Sequence, residues 1–282
     1  MKNLILLVLT FFFVTLAFGS GQTDYPFEVQ KSGQGDQAMI LIPGFSCSGE
    51  VWNETKATLP EHFTFYTLTM AGFAGVAPHP DSNFENWKIG IADYIINEKI
   101  DQPIIVGHSM GGGLAMALAA DYPELIGKIV VVDALPCLMA LSNPSFEQQE
   151  NVDCSSSVEQ ITAMNDEQFR QMQFMSMPQM MQNADMMETV VNWSVKSDRE
   201  TFAKMFCDFT NTDLRQRIEK IECPSFILLE SPFKNFKEPI EAQYANLKTA
   251  DLRYAEKGLH FIMYDDKEWY FNQLNDFLVE KL

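Results

Sequence analysis

The 282-residue chain carries 38 acidic and 20 basic side chains, which gives it a formal net charge of −18. This excess of negative charge argues against nucleic acid and anionic lipid headgroups as partners, and it is typical of a solvated, soluble protein. The length allows one domain, or one domain with an insertion, to bury a sizeable core.

The first 19 residues have the pattern of a secretory signal peptide. A short positive start precedes an almost wholly apolar run over residues 4–18, and Ala17 and Gly19 supply small residues for cleavage. The apolar run is slightly short for a bilayer crossing, and no polybasic stop-transfer segment follows it, although an uncleaved anchor is the alternative. We therefore expect a secreted or periplasmic protein, cleaved near Gly19, with no specific membrane partner.

Strand and helix signals alternate along most of the remaining sequence. Valine-rich and β-branched runs that alternate with helical patterns predict an α/β fold with a mostly parallel, doubly wound sheet. The helical patterns cover residues 84–98, 111–120 and 267–282. The strand-like runs cover residues 27–30, 39–43, 63–68, 103–106, 129–132, 225–229 and 252–255.

Residues 134–212 interrupt this alternation. They contain no convincing strand, several polar helical segments and ten of the sixteen methionines. We interpret them as a helical cap inserted into a core formed by residues 20–133 and 213–282. Methionine is flexible and polarizable, so this cap suits an adaptable apolar substrate cavity. The alternative is that the methionines fill the core of a small helical subdomain.

The five cysteines match no zinc-ligand spacing. An oxidising compartment would allow one or two disulfides among them. Closeness in sequence favours pairing of Cys137 with Cys154 and of Cys207 with Cys223, which leaves Cys47 alone, but the spacing does not decide the pairing.

A candidate nucleophile lies in the segment 107–111, Gly-His-Ser-Met-Gly, between a predicted buried strand and a helix of small residues. A sharp strand-to-helix turn strains the residue at the corner, and Gly107 and Gly111 leave room for the close crossing. The Ser109 side chain would then project at the carboxyl end of the sheet, beside the positive end of the helix dipole. This context favours a catalytic serine over a structural turn.

A serine nucleophile needs a base within hydrogen-bond reach, and the chain has only four histidines. His260 follows the last predicted strand and precedes the terminal helix, at the same edge of the sheet as Ser109. We expect His260 to act as general base and then general acid. His108 adjoins Ser109, but neighbouring residues in a tight turn point apart, so we expect it to pack in the core.

These features together resemble the α/β-hydrolase family over nearly all the sequence outside the cap. Residues 42–45, Ile-Pro-Gly-Phe, look like its oxyanion loop, although Pro43 stands where many members have His, and residues 258–261 look like the segment of its catalytic histidine. The resemblance implies a sheet of about eight strands and a serine hydrolase of esters or related acyl compounds. It also implies an oxyanion hole formed by the backbone N–H groups of Phe45 and Met110.

The acid that orients His260 is less clearly marked. The family usually places an Asp a few residues beyond the strand that corresponds to residues 225–229, yet residues 225–235 contain none. Asp133 ends an earlier strand at the same edge of the sheet, and some members carry their acid there. Glu230 follows residues 225–229 and is the alternative. We favour Asp133, although an Asp in this position can also cap the following loop.

We therefore expect an exported serine esterase that forms an acyl-enzyme on Ser109, requires no metal or organic cofactor and acts on a small, apolar acyl substrate. An amidase, a peptidase or a hydrolase of carbon–carbon bonds would use the same groups. A binding protein that holds an apolar ligand under the cap is the non-catalytic alternative, and the presence of both Ser109 and His260 disfavours it. The sequence does not indicate the oligomeric state.

Overall fold

The computed structural model describes residues 25–280, so the predicted signal peptide at residues 1–19 lies outside the described residues. A single sheet forms the centre of this part of the chain, with strand order β1-β3-β2-β4-β5-β6-β7. The strands are β1 (Phe27–Gly33), β2 (Gln37–Ile42), β3 (Phe63–Met70), β4 (Ile104–His108), β5 (Lys128–Val132), β6 (Ser225–Leu229) and β7 (Ala250–Tyr254).

Every strand pair is parallel except β1 with β3, which is antiparallel. Each of the seven predicted runs coincides with one of these strands, so the prediction of a mostly parallel α/β fold is confirmed. Within residues 25–280 the sheet has seven strands rather than about eight.

Ten α-helices accompany the sheet in the described part of the chain. They are α1 (Asn53–Thr58), α2 (Phe84–Asn97), α3 (Met110–Asp121), α4 (Ser155–Thr162), α5 (Asp166–Met180), α6 (Ala184–Lys196), α7 (Arg199–Asn211), α8 (Lys237–Gln243), α9 (Ile262–Asp265) and α10 (Lys267–Glu280). None of these helices is long and apolar enough to cross a membrane.

Side-chain alternation along the central strands builds a core on each face of the sheet. On β2, Ile40 and Ile42 pack in the cluster that includes Trp87 of α2 and Leu114 of α3. Met39 and Leu41 pack in the opposite cluster, which includes Leu274 of α10. Because successive residues of a strand point to opposite faces, a strand that is apolar at every position is covered on both sides. The sheet is therefore doubly wound.

Helices α4 to α7 lie between β5 and β6 in the chain, within the segment predicted to form a cap. Cys154 immediately precedes α4 and forms a disulfide with Cys207 of α7. The expected pairings of Cys137 with Cys154 and of Cys207 with Cys223 are therefore wrong. Cys137 and Cys223 are free and buried in the structure. Cys137 lies after β5 and Cys223 lies before β6, whereas the disulfide joins the start of α4 to α7, and these two helices pack on each other.

Candidate active site

Ser109 is the single residue between β4 and α3, and its backbone angles are φ 53° and ψ −122°. This positive φ is strained for a residue with a side chain, and the surroundings must hold it. The Ser109 amide donates to the carbonyl of Val132 at 2.9 Å, and the amides of Gly112 and Gly113 donate to the Ser109 carbonyl at 2.8 and 3.1 Å. The first turn of α3 and the neighbouring strand β5 thus fix the corner.

The glycines on either side of Ser109 are required by contact distances. A Cβ atom on Gly107 would lie 2.1 Å from the carbonyl oxygen of Gly111, and one on Gly111 would lie 2.4 Å from the carbonyl oxygen of Ile42. Both distances are far below van der Waals contact with backbone atoms that cannot move aside. The close crossing of β4, α3 and the end of β2 therefore depends on the absence of these two side chains.

The loop after β2 passes directly beside Ser109. A Cβ atom on Gly44 would lie 2.6 Å from His108 Nδ1 and 3.2 Å from Ser109 Cβ. Because Gly44 has no side chain, the loop backbone passes close to Ser109 and brings the next residue, Phe45, to the site. Met110 is the first residue of α3. In the part of the chain that the structure describes, neither the Phe45 nor the Met110 amide has a hydrogen-bond acceptor. Two free amides beside a serine can stabilise an oxyanion.

The structure brings His260 and Asp133 together. His260 Nδ1 lies 2.6 Å from Asp133 Oδ2, and the second carboxylate oxygen of Asp133 accepts the backbone N–H of Glu230 at 2.7 Å. Asp133 is buried and has φ 49°, a strained conformation that turns its side chain at the end of β5. With Nδ1 facing a carboxylate, the imidazole carries its hydrogen there, and Nε2 is free to accept a proton.

Glu230 follows β6, the neighbour of β5, but no hydrogen bond joins its side chain to His260 in the described residues. Burial, and then the charge of Asp133, raise the pKa of the Glu230 carboxyl to about 7, while the charge of His260 opposes this shift. Of the two candidate acids, Asp133 thus makes the hydrogen bond to the imidazole, and Glu230 holds Asp133 through its backbone.

His108 has a contact that the sequence did not indicate. Its Nε2–H donates to the carbonyl oxygen of His260 at 3.0 Å, and its ring packs against the rings of His260 and Phe261. Burial, and then the charge of His260, hold the pKa of His108 well below its usual value, so the ring is neutral. His108 is buried as expected, and it also anchors the backbone of the loop that carries His260.

Ser109 and His260 both line a cavity of about 520 Å³ that extends beneath helices α4 to α7. No hydrogen bond joins their side chains within residues 25–280. Such contacts are often long in an unliganded site and tighten when substrate binds. The side chains around the cavity include no Asp, Glu, Lys or Arg; they are Phe45, Ser46, Cys47, His108, Ser109, Ser157, Gln160, Ile161, Met172, Gln173, Ser176, Met177, Met180, Val190, Ser194, Phe202, Ala203, Phe206, His260 and Phe261.

The methionines of residues 134–212 serve both of the expected purposes. Met172, Met177 and Met180 line the cavity, whereas Met181 and Met205 are fully buried in the two core clusters. Some methionines of residues 134–212 therefore line an apolar cavity, and others fill the core, so each of the two alternatives describes part of this segment.

The helices above the cavity are hydrogen-bonded to the loops beside Ser109. Ser46, which follows Phe45 and has φ 56°, shares a 2.7 Å hydrogen bond with Ser194 of α6. The Ala74 amide donates to Ser197 Oγ at 3.0 Å, and the Asp198 amide donates to the carbonyl of Gly72 at 2.8 Å. The loop that carries the Phe45 amide is thus held in part by α6.

The described residues contain no group of three or more His, Cys, Asp or Glu side chains that could hold a metal ion. The arrangement of Ser109, His260 and Asp133 at the carboxyl ends of parallel strands matches the organisation of a serine hydrolase. A family model described as the alpha/beta hydrolase fold matches residues 37–261. The chain belongs to the α/β-hydrolase family.

Known members resemble the chain to different extents. A pimeloyl-[acyl-carrier protein] methyl ester esterase from Citrobacter koseri is 27% identical over 144 residues, which cover 48% of this chain and 55% of that enzyme. The match therefore spans about half the length of that relative. The enzyme of the same name from Aliivibrio fischeri is 22% identical over 204 residues, covering 69% of this chain and 74% of its own.

The fold is also that of solved α/β-hydrolases. The structure of a hydrolase from Pseudomonas aeruginosa superimposes with a TM-score of 0.75, covering 90% of this chain and 94% of that one, at 14% sequence identity. At this identity the likeness establishes the fold alone.

Proposed function

We propose that this chain is an exported serine hydrolase that cleaves carboxylic esters of small, uncharged and mostly apolar substrates. The observation that carries the proposal is the 2.6 Å contact between His260 Nδ1 and Asp133 Oδ2, on a histidine that shares one cavity with the strained Ser109. The curated relatives are named as esterases, which supports ester over amide chemistry.

The first half of the proposed reaction forms an acyl-enzyme on Ser109. His260 Nε2 takes the proton of Ser109 Oγ as Oγ bonds to the ester carbonyl carbon, and the carbonyl oxygen becomes an oxyanion held by the amides of Phe45 and Met110. The intermediate collapses with loss of the carbon–oxygen bond to the alcohol, which leaves with the proton from His260. Asp133 stabilises the imidazolium that exists between these two proton transfers.

The second half releases the acid. His260 removes a proton from a water molecule as the water oxygen attacks the acyl carbon, and the amides of Phe45 and Met110 hold the second oxyanion. When this intermediate collapses, the bond to Ser109 Oγ breaks, Oγ recovers its proton from His260 and the carboxylic acid departs. The steps balance without a metal ion or an organic cofactor.

The substrate class follows from the cavity. A cavity of about 520 Å³ accepts a small molecule, and its lining of mostly apolar groups without a formal charge disfavours a charged acyl chain. The chain's net charge of −18 argues further against anionic substrates.

A test of catalysis combines hydrolysis with labelling. We expect purified protein to hydrolyse a chromogenic ester series and to lose about 10⁴-fold or more of kcat when Ser109 is changed to Ala. A fluorophosphonate probe should label the unchanged protein and leave Ser109→Ala unlabelled. Normal turnover by Ser109→Ala would overturn the mechanism. Absence of both ester turnover and probe labelling in the unchanged protein would overturn the proposed function.

Export is supported by the N-terminal pattern and by the Cys154–Cys207 disulfide, since disulfides persist in oxidising compartments. Expression of the full chain in its cell of origin, followed by N-terminal sequencing of the protein outside the cytoplasm, should give a start close to Ser20. Recovery of the intact N-terminus in the cytoplasmic fraction would contradict export.

A further inference from the structure

Gln173 is a buried polar side chain in a wall that is otherwise largely apolar. It lies on α5, and Met172, Ser176 and Met177 of the same helix also line the cavity. Residues three and four positions apart lie on the same face of a helix, so one face of α5 forms part of the cavity wall. Gln173 is only 9% exposed. Since α5 turns this face toward the cavity, its amide lies in the cavity wall.

The amide of Gln173 has no hydrogen-bond partner among the residues that the structure describes, although three serines of the same wall are paired. Ser46 and Ser194 bond to each other, and the Ser176 hydroxyl donates to the backbone carbonyl of Gln173. The amide atoms are not among the enclosed, unpartnered side-chain atoms of the described residues, so they are open to the cavity. The amide therefore needs a partner from the cavity: water in the free protein, and a substrate group in the complex.

The chemistry of that substrate group follows from the amide and the wall. An amide offers both N–H donors and a carbonyl acceptor, so it binds a ketone, a hydroxyl, an amide or a second ester. A carboxylate or an ammonium would find no opposite charge in the lining, and its burial there would be costly. The wall therefore selects an uncharged group that forms hydrogen bonds.

We infer that Gln173 is a specificity-determining residue and that the substrate is an ester carrying a second, uncharged oxygen function that hydrogen-bonds the Gln173 amide. This inference rests on the proposed ester hydrolysis and narrows its substrate class. The remainder of the substrate contacts apolar side chains such as Phe202 and Val190.

Matched ester pairs test the inference. The substrates are 4-nitrophenyl hexanoate and heptanoate, each compared with its keto derivatives at successive carbons from position 4 onward. For at least one keto position we expect the unchanged protein to favour the keto ester by about tenfold in kcat/KM, through KM. In Gln173→Leu, which keeps the side-chain size, the ratio of the kcat/KM values for the keto ester and the plain ester should fall to about one, whatever the rate on the plain ester. Gln173→Asn, which keeps an amide, should retain part of the preference.

A binding measurement separates this inference from the proposed catalysis. Calorimetry on Ser109→Ala, with and without Gln173→Leu, compares methyl hexanoate with the methyl ester of the favoured keto acid. A preference lost with Gln173→Leu supports the inference even if the unchanged protein hydrolyses no ester, an outcome that would overturn the proposed function alone. Equal treatment of keto and plain compounds in both measurements, or an equal loss for both in Gln173→Leu, would overturn the role of Gln173.

Discussion

Two carboxyl groups influence His260, and they differ in what they contact. Asp133 is hydrogen-bonded to the imidazole and has both of its oxygens engaged. Glu230 acts on the same pair only through its charge and through its backbone N–H. The roles of these two residues can therefore be separated by changes that remove one carboxylate at a time.

Asp133→Asn should lower kcat for ester hydrolysis by about 10³–10⁴-fold with a small change in KM, because an amide at this position no longer stabilises the imidazolium. Steady-state kinetics on a chromogenic ester measure the loss. Glu230→Gln is the matched control and should keep kcat within about threefold, since its side chain makes no hydrogen bond to His260. Equal losses of activity in Glu230→Gln and Asp133→Asn would contradict the assignment of Asp133 alone as the acid.

The raised pKa of Glu230 lowers the stability of the folded protein at neutral and higher pH. Between the ordinary value of 4.5 and about 7, the folded protein keeps a proton on Glu230 that the unfolded chain has lost, so the free energy of unfolding falls as pH rises through this window. Glu230→Gln removes the effect. Allowing for partial solvent screening, it should raise Tm by about 2–4 °C at pH 8 and by little at pH 4.5. Equal differences in Tm at the two pH values would contradict this assignment.

At the scale of elements, α4 depends on its neighbours for its place over the cavity. None of its residues is buried, yet Ser157 and Ile161 line the cavity. The disulfide between Cys154 and Cys207 joins the start of α4 to α7, across 53 residues of chain. The position of this part of the cavity wall is thus maintained by packing on α7 and by one covalent bond.

Removal of the disulfide by Cys154→Ser with Cys207→Ser should lower the free energy of unfolding by about 2–4 kcal/mol. We also expect KM to rise while kcat changes little. Helix α4 lines the cavity, but within the described residues it makes no hydrogen bond to Ser109 or His260. Thermal unfolding and ester kinetics measure the two effects. Cys223→Ala, which removes a free buried thiol, is the control and should leave KM unchanged. An unaltered KM in the double variant would show that α4 keeps its place without the bond.

A second connection between elements links α6 to the loop that carries the Phe45 amide. The hydrogen bond between Ser46 and Ser194 joins residues 148 positions apart, and it lies next to the Phe45 amide. Because Ser46 has a positive φ, the loop conformation requires outside support. A movement of α6 would therefore shift the Phe45 amide, which is proposed to bind the oxyanion.

Across the whole molecule, the central sheet was predictable because buried parallel strands are continuous apolar runs, and each run coincides with a strand. The corner at Ser109 was predictable because glycine is needed wherever two backbones cross closely. The expectation of about eight strands came from the family resemblance and exceeds the seven in the described residues.

Contacts made by the helices of residues 134–212 were not predictable in the same way. The Cys154–Cys207 and Ser46–Ser194 pairs depend on how separate amphipathic helices dock, and periodicity states which face of a helix is apolar but not what lies against it. The bond from His108 to the His260 carbonyl depends likewise on a loop that reaches the site from 152 residues away.

The chain leaves the sheet after β5 and returns to it at β6, and these two strands are direct neighbours with continuous parallel pairing from Ile129 with Ser225 to Val132 with Leu228. Residues 134–224 form one long connection, which leaves the sheet after the carboxyl end of β5 and returns to it at the amino end of β6. Such a segment can be shortened, lengthened or exchanged in evolution without shifting the register of the sheet. New substrate preferences can therefore arise in this architecture while Ser109, His260 and Asp133, all outside the exchanged segment, keep their geometry.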